Sequence, residues 1–226
     1  MVCTTVSGDL GMGCRSSGPV SASPLQPTVQ DMGKLRRVLR YLKGTKDKVL
    51  TLKAGPDSVL RVHAFIDASY ATHDDDRSHT GIVISLGCGT VYAKSSKQKL
   101  VTKSSTEAEL VALATGLEEV IWLRRFLQAQ GHTLEPSIVY QDNLSAKLLV
   151  TQGLKRASRT KHMSVRYFWA KDQIDAKRIV IKHLKTDIHP ADVLTKALQG
   201  AKFFLFCDML LGKVPPYQPS QQASDS

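Results

Sequence analysis

The stretch KSSTEAEL, Lys103 to Leu110, constrains this chain more than any other. Ser104, Ser105 and Thr106 are helix-starting residues, and Glu107 stands three after Ser104, the spacing of a capping box. Leu110, Leu113, Ala114, Leu117, Val120 and Ile121 then recur at helical spacing as one apolar stripe. The spacing predicts a helix to about Gln130, where Gly131 stops it. Glu107 and Glu109 fall in its first turns. At about 100° per residue they point roughly 200° apart and flank the stripe on opposite sides. One is free to cap the helix while the other faces a site beside the core.

The flanking chain supplies strands. Leu60 to Ile66 alternates, with Leu60, Val62, Ala64 and Ile66 on one face and Arg61, His63 and Phe65 on the other. Asp67 is expected at its carboxyl end. Gly81 to Leu86 and Thr90 to Lys94 read as two more strands joined by a Gly87-Cys88-Gly89 turn. Beyond the long helix, Ser137 to Gln141 is a strand ending in Asp142 and Asn143, and Ala146 to Val150 a short helix. Val165 to Ile174 reads as helix, Arg178 to Leu184 as a last strand, and Pro190 as the opening of a helix that carries Asp192. Lys202 to Leu211 is one more helix. The pattern is α/β: an antiparallel meander followed by crossover connections, hence a mixed sheet.

The ends read differently. Residues 1–28 are rich in Ser, Gly, Pro and Thr without a period and are expected to be a disordered leader. Thr28 to Tyr41 turns helical, with Met32, Leu35, Val38, Leu39 and Leu42 as a stripe beside Lys34, Arg36, Arg37 and Arg40. Such a helix needs something to pack on. The Pro/Gln/Ser-rich tail 213–226 is expected to be disordered, leaving one folded domain over 57–212 after a linker region 29–56.

Lys and Arg number 31 against 20 Asp and Glu, a net +11, which favours a polyanionic partner and nucleic acid before membrane. Aromatics are only 6%, against a stacking platform for single strands. Cys3, Cys14, Cys88 and Cys207 make no CxxC pair and no zinc-spaced array, so a reduced intracellular setting is the simpler expectation. Cys88 lies in an apolar run that reads as buried. No signal peptide opens the chain and no run approaches transmembrane length.

Four acids fall where the backbone passes from one element to the next: Asp67, Glu109, Asp142 and Asp192. Each has a plain structural alternative. Asp67 suits a turn, Asp142 suits a cap on the following helix, and Asp192 suits the positive end of a helix dipole. Their conjunction points elsewhere. Hard divalent ions take several carboxylate oxygens, and two ions about 4 Å apart activate water and stabilise a leaving oxygen in phosphodiester cleavage. The run Asp74-Asp75-Asp76 is a decoy in one solvated loop.

FIDASYA with DDRSHTG, then AKSSKQKLVTKSSTEAELVAL, IWLRRFL, VYQDNLSA, RTKHMSVRYFW and HPADVLTKAL occur in that order. Together, over roughly Leu60 to Leu211, they closely resemble the ribonuclease H region of copia-type retrotransposon Pol polyproteins. The helix Asp31 to Thr45 looks like the end of the preceding reverse-transcriptase region. The resemblance implies a ribonuclease H-like fold, a five-stranded mixed sheet with helices on both faces. It implies a quartet of Asp67, Glu109, Asp142 and Asp192 holding two Mg²⁺ ions, with Mn²⁺ able to substitute. Asp67 and Asp142 would bind or bridge the metals, Glu109 would stand on the leaving-group side, and Asp192 would position the nucleophile's metal. Ser104, Ser105 and Thr106 match the segment that meets phosphate and 2′-hydroxyl groups in such enzymes, and Asn143 the minor-groove edge of the hybrid. Relatives of cellular type carry a His in a flexible loop before the last Asp; here His189 is three residues before Asp192. Lys97, Lys99, Lys103, Arg159 and Lys161 are candidates for backbone contacts.

The expected function is endonucleolytic hydrolysis of the RNA strand of RNA–DNA hybrids during reverse transcription. The hybrid, and the reverse-transcriptase part of the same Pol protein, are the expected partners. The expected location is intracellular, in cytoplasmic virus-like particles or the nucleus. The alternative is an inert hybrid-binding remnant or an interaction module of a larger Pol protein. No paired-aspartate polymerase motif and no integrase-type His/Cys array is present, so neither polymerisation nor integration is expected of this chain.

Overall fold

The computed structural model describes residues 29–54, 60–152 and 161–215. The expected leader, the candidate Arg159 and nearly all of the expected tail lie outside the described residues. In chain order the elements are α1 (Val29–Thr45), β1 (His63–Ser69), β2 (His79–Ser85), β3 (Thr90–Lys97) and α2 (Ser105–Ala129). They continue with β4 (Ser137–Gln141), α3 (Leu144–Gln152), α4 (Lys161–Asp175), β5 (Ile179–His183), α5 (Asp192–Thr195) and α6 (Gly200–Leu210).

The five strands form one sheet in the order β3-β2-β1-β4-β5. β1, β2 and β3 pair antiparallel as a meander, while β4 adds parallel to β1 and β5 parallel to β4. This is the five-stranded mixed sheet expected from the sequence. Alternation along the strands splits the core into two layers. Val62, Ala64, Ile66, Ile82 and Val139 pack with Leu110, Leu113, Leu117 and Val120 of α2 and with Tyr167 of α4. Phe65, Val83, Ile138 and Tyr140 pack on the other face with Val193 and Leu194 of α5 and Phe206 and Leu210 of α6. Helices therefore cover both faces.

Two glycines set how closely helices approach this sheet. A Cβ on Gly116 of α2 would run into the Ile66 side chain, 2.8 Å from its Cγ1, so the glycine lets α2 lie this close to β1. A Cβ on Gly81 would stand 2.8 Å from Thr195 Cγ2 and 2.9 Å from the Ala191 carbonyl oxygen. Gly81 is the β2 partner of Asp67. Its missing side chain is what allows α5 to come up against the Asp67 end of the sheet.

α2 begins and ends as its sequence requires. Ser104 Oγ accepts from the Glu107 amide at 3.2 Å, and the Glu107 carboxylate accepts from the Lys103 amide at 2.8 Å. The reciprocal bond thus reaches one residue beyond the amide that a capping box usually satisfies. Gly131, at φ +86°, follows the helix end.

Several expectations are corrected. β1 runs through Ser69, because its pairing with β2 extends to Ser69 opposite His79. Asp67 therefore sits inside the strand rather than after it. β2 begins at His79 and β3 continues to Lys97 for the same reason. The Gly87-Cys88-Gly89 turn pairs at Gly87 and Cys88 with Lys53 and Ala54, which leaves Cys88 half-buried at an edge. The helix expected from Pro190 is a single turn that starts at Asp192, with Pro190 in the turn before it. Of α1, no residue is buried: Met32, Leu35, Leu39 and Leu42 are all exposed.

Candidate active site

Three acids from three separate elements meet at the end of the sheet. Asp67 comes from β1, Glu109 from the second turn of α2, and Asp142 from the residue after β4. Each offers an oxygen, and these oxygens lie within 4.8 Å of one another. Asp67 and Glu109 are buried and Asp142 is half-buried. Glu107, on the outer side of the same helix, takes no part.

Each carboxylate is aimed by a neutral partner. Gln141 Nε2 donates to Glu109 Oε2 at 2.6 Å from a fully buried position. The Thr195 hydroxyl donates to Asp67 Oδ2. The Thr186 hydroxyl donates to Asp142 Oδ2 at 3.0 Å. Burial pushes the Glu109 carboxyl up to about 9, and the charges of Asp67 and Asp142 push in the same direction against the Gln141 bond. Burial also raises the Asp67 carboxyl, with Lys196, His189 and Thr195 opposing and Asp192 adding to the rise. Buried like charges in one place call for a cation.

Asp192 arrives differently. It is buried at the start of α5, and Lys196 Nζ lies 2.8 Å from its Oδ1 and 3.6 Å from Asp67 Oδ1. Burial pulls the Lys196 ammonium down, but Asp67, Asp192 and Asp142 outweigh it and hold it above its ordinary value. Asp192 thus joins the group through a lysine. The structure brings the other three expected acids into direct proximity and places the fourth beside Asp67 with a cation between them.

The remaining expected residues fall on the rim or in the core. Ser104 and Ser105 are exposed and Thr106 half-buried at the start of α2, one to two turns from Glu109. Asn143 Oδ1 accepts from the Ala146 amide at 3.1 Å, so Asn143, rather than Asp142, caps α3. Lys99 and Lys103 are exposed, and Lys97 pairs with Asp75 at 2.7 Å. Asp75 also pairs with Arg77 at 3.3 Å, so the Asp74-Asp75-Asp76 run is partly neutralised by the chain itself. His189 is fully buried, edge-on to Phe65, with Nε2 3.3 Å from the Tyr140 carbonyl oxygen. It is a core residue beneath α5 and not a side chain of a flexible loop.

Sequence reasoning passed over Gln141, Thr195 and Lys196. For the last two a signal existed, because Thr195 and Lys196 stand three and four residues after Asp192 and share its side of one turn. Gln141 had only its place before Asp142.

No family model matches the chain. The retrovirus-related Pol polyprotein from transposon TNT 1-94 of Nicotiana tabacum is 36% identical over 196 residues, 86% of this chain and 14% of that protein. The corresponding polyprotein from transposon RE1 of Arabidopsis thaliana is 35% identical over 193 residues, 84% of this chain and 13% of that protein. Among solved structures, LC11-RNase H1 isolated from compost is 17% identical with a TM-score of 0.45, over 59% of this chain and 91% of that one. RNase H1 from Halobacterium salinarum NRC-1 is 16% identical with a TM-score of 0.41, over 56% and 86%. The chain thus spans about one seventh of the length of these curated relatives. Its identity to them runs over more than four fifths of its own length: its homologues are retrovirus-related Pol polyproteins from plant copia-like transposons.

Proposed function

We propose that this chain is a ribonuclease H that hydrolyses the RNA strand of RNA–DNA hybrids, using two divalent ions held by Asp67, Glu109, Asp142 and Asp192. The observation that carries the reading is the convergence of three carboxylates from β1, α2 and the end of β4 within 4.8 Å. The donor set fits hard ions such as Mg²⁺, with Mn²⁺ as a substitute: all ligands are carboxylate oxygens, and no soft ligand is among them. Asp192 Oδ2, buried and without a hydrogen-bond partner among the described residues, adds an oxygen that a cation would satisfy. Bound ions would supply an activated water and charge for the leaving oxygen of a phosphodiester.

The chain's own residues do the rest. Gln141 and Thr195 hold Glu109 and Asp67 in one orientation each. Ser104, Ser105 and Thr106 present hydroxyls and amides at a helix start, where phosphate oxygens are well received. Asn143 spends its carbonyl on the α3 cap, leaving its NH₂ for the minor-groove edge of the hybrid. The net charge of +11 supplies affinity for the phosphate backbone. In this reading the chain works beside the reverse-transcriptase part of a Pol protein, inside the cell, in virus-like particles or the nucleus.

The test is cleavage of a labelled hybrid by the purified chain in Mg²⁺, with duplex DNA and duplex RNA as comparisons. Cleavage of the RNA strand that stops in chelator is expected. Hybrid binding with no cleavage under any divalent ion would replace the reading by an inert hybrid-binding module.

A further inference from the structure

Asp67 and Asp192 are each 1% exposed, and a buried carboxylate pair is costly without positive charge. The chain answers with Lys196. Its ammonium stands 2.8 Å from Asp192 and 3.6 Å from Asp67, at the i+4 position of the same turn. The other oxygen of Asp67 is already occupied by the Thr195 hydroxyl. The other oxygen of Asp192 is buried, and Lys202 Nζ lies 3.8 Å from it, beyond hydrogen-bond reach. Because Lys196 stands between Asp67 Oδ1 and Asp192 Oδ1, a cation shared by the two acids meets the lysine's charge at close range, even where it binds through the buried Asp192 Oδ2. On the opposite side of Asp67 the partners of Glu109 and Asp142 are the neutral groups of Gln141 and Thr186.

We propose that Lys196 is a resident cation: it holds Asp67 and Asp192 in position while no ion bridges them, and it withdraws when one enters. The proposal rests on the divalent-ion reading above and deepens it. Its consequence is an order of loading. The first ion enters among Asp67, Glu109 and Asp142, where Lys196 pairs only with Asp67, at the longer distance of 3.6 Å. The second enters against Lys196 and binds more weakly for that reason. The lysine has somewhere to go, since its side chain is 35% exposed and its backbone is extended, directly after the four-residue α5. As a positioning residue it acts on Asp67 and Asp192 and needs no contact with substrate.

Two measurements test this on the whole chain without nucleic acid. The first counts bound Mn²⁺ by electron paramagnetic resonance and calorimetry. The wild type should take one ion tightly and a second more weakly. Lys196→Met should tighten the second at least tenfold, leave the first within a few-fold, and lower the melting temperature in chelator, whereas Lys196→Arg should keep the wild-type melting temperature. The second needs no variant. Amine-reactive labelling of wild-type Lys196, read by peptide mass spectrometry, should be slow in chelator and several-fold faster in saturating Mg²⁺. Second-ion affinity unchanged in Lys196→Met, or labelling of Lys196 indifferent to Mg²⁺ while ions bind, overturns the proposal and leaves the metal reading standing. A wild type that binds no Mn²⁺ at all overturns both.

Discussion

Asp67 is flanked by two sides that meet its charge in opposite ways. Toward Glu109 and Asp142 the partners are an amide and a hydroxyl, and burial with like charge drives Glu109 to about 9. Toward Asp192 the chain supplies its own ammonium at 2.8 Å. The two sides bury similar carboxylates at the same end of one sheet. The difference teaches that protein interiors have two remedies for crowded acids, a proton or a cation, and that this site uses one on each side. The side left to the proton is the one open to an ion from outside.

The sharpest break in that comparison is Glu109→Gln. Glutamine keeps the size of the side chain, and its Oε1 still accepts from Gln141. It removes the charge from the side that depends on an external ion. Single-turnover cleavage of a hybrid should fall by at least about two orders of magnitude, the scale on which a misplaced ion costs a metal-dependent reaction. In chelator the melting temperature should stay level below about pH 9, where Glu109 is protonated, and rise above it, where repulsion with Asp67 and Asp142 is relieved. Near-normal cleavage would remove Glu109 from the chemistry and with it the contrast between the two sides.

The proton on that side is visible to pH. In the metal-free protein the folded Glu109 carboxyl titrates at about 9, while the unfolded chain titrates near the ordinary value of 4.5. Between those values the folded state binds more protons than the unfolded state, so this group's contribution to stability falls as pH rises. Asp67, also raised, acts with the same sign. The melting temperature in chelator should therefore decline from about pH 5 towards pH 9, and it should decline less in Glu109→Gln. Saturating Mg²⁺ should flatten the profile, since the ion takes the place of the proton. A chelator profile that rises across this window would show that Glu109 is ionised throughout.

Gly81→Ala tests the other side by geometry alone. The new methyl meets Thr195 and the Ala191 carbonyl at 2.8 and 2.9 Å, and backbone at that distance must shift. Overpacking of this kind costs about 1–3 kcal/mol. It should also push α5 away from Asp67, so Thr195, Asp192 and Lys196 move together and cleavage falls more than the loss of stability explains. Thermal melting and cleavage at a temperature where the variant is fully folded separate the two effects. A destabilised variant with unchanged cleavage would mean that the distance from α5 to Asp67 is not critical.

Residue by residue, what was legible in the sequence was what is local. The stripe from Leu110 to Ile121 and the Ser104–Glu107 cap needed only helical spacing, and α2 follows both. β4 matched because both its faces are buried and Asp142 follows it. The position of Asp67 inside β1 was hidden, because the last two residues of that strand are held by pairing with β2, a non-local term. α1 shows the same limit from the other direction. Its stripe was read correctly as helical, yet helical spacing names a face and not a partner, and no residue of α1 is fully buried. Lys196 was lost among 31 Lys and Arg residues, since its i+4 spacing marks Asp192 as a partner but not Asp67, which only the fold brings to 3.6 Å. Gly81 was read as the start of a strand, while its actual role is the absence of a side chain opposite Asp67.

The smallest expected effect is at Glu107, and it sharpens the contrast by staying outside it. Glu107 stands two residues before Glu109 and is half-buried on the other side of α2. Its carboxylate accepts from the Lys103 amide at 2.8 Å, while Ser104 Oγ accepts from its own amide at 3.2 Å. Both bonds serve the helix start and neither reaches the acidic group. Glu107→Gln keeps an oxygen for the Lys103 amide and loses only charge near the positive end of the helix, worth about 0.3–1 kcal/mol. Ser104→Ala, which removes the cap itself, should cost about 1 kcal/mol. Cleavage by Glu107→Gln should stay within about two-fold of wild type once both are fully folded, the change expected when no group at the reaction is touched. Single-turnover rates for Glu107→Gln and Glu109→Gln, taken side by side, check this. If the Glu107 variant loses cleavage and the Glu109 variant keeps it, the catalytic face of α2 is the one on which Glu107 stands, and the carboxylates gathered around Asp67 serve only the fold.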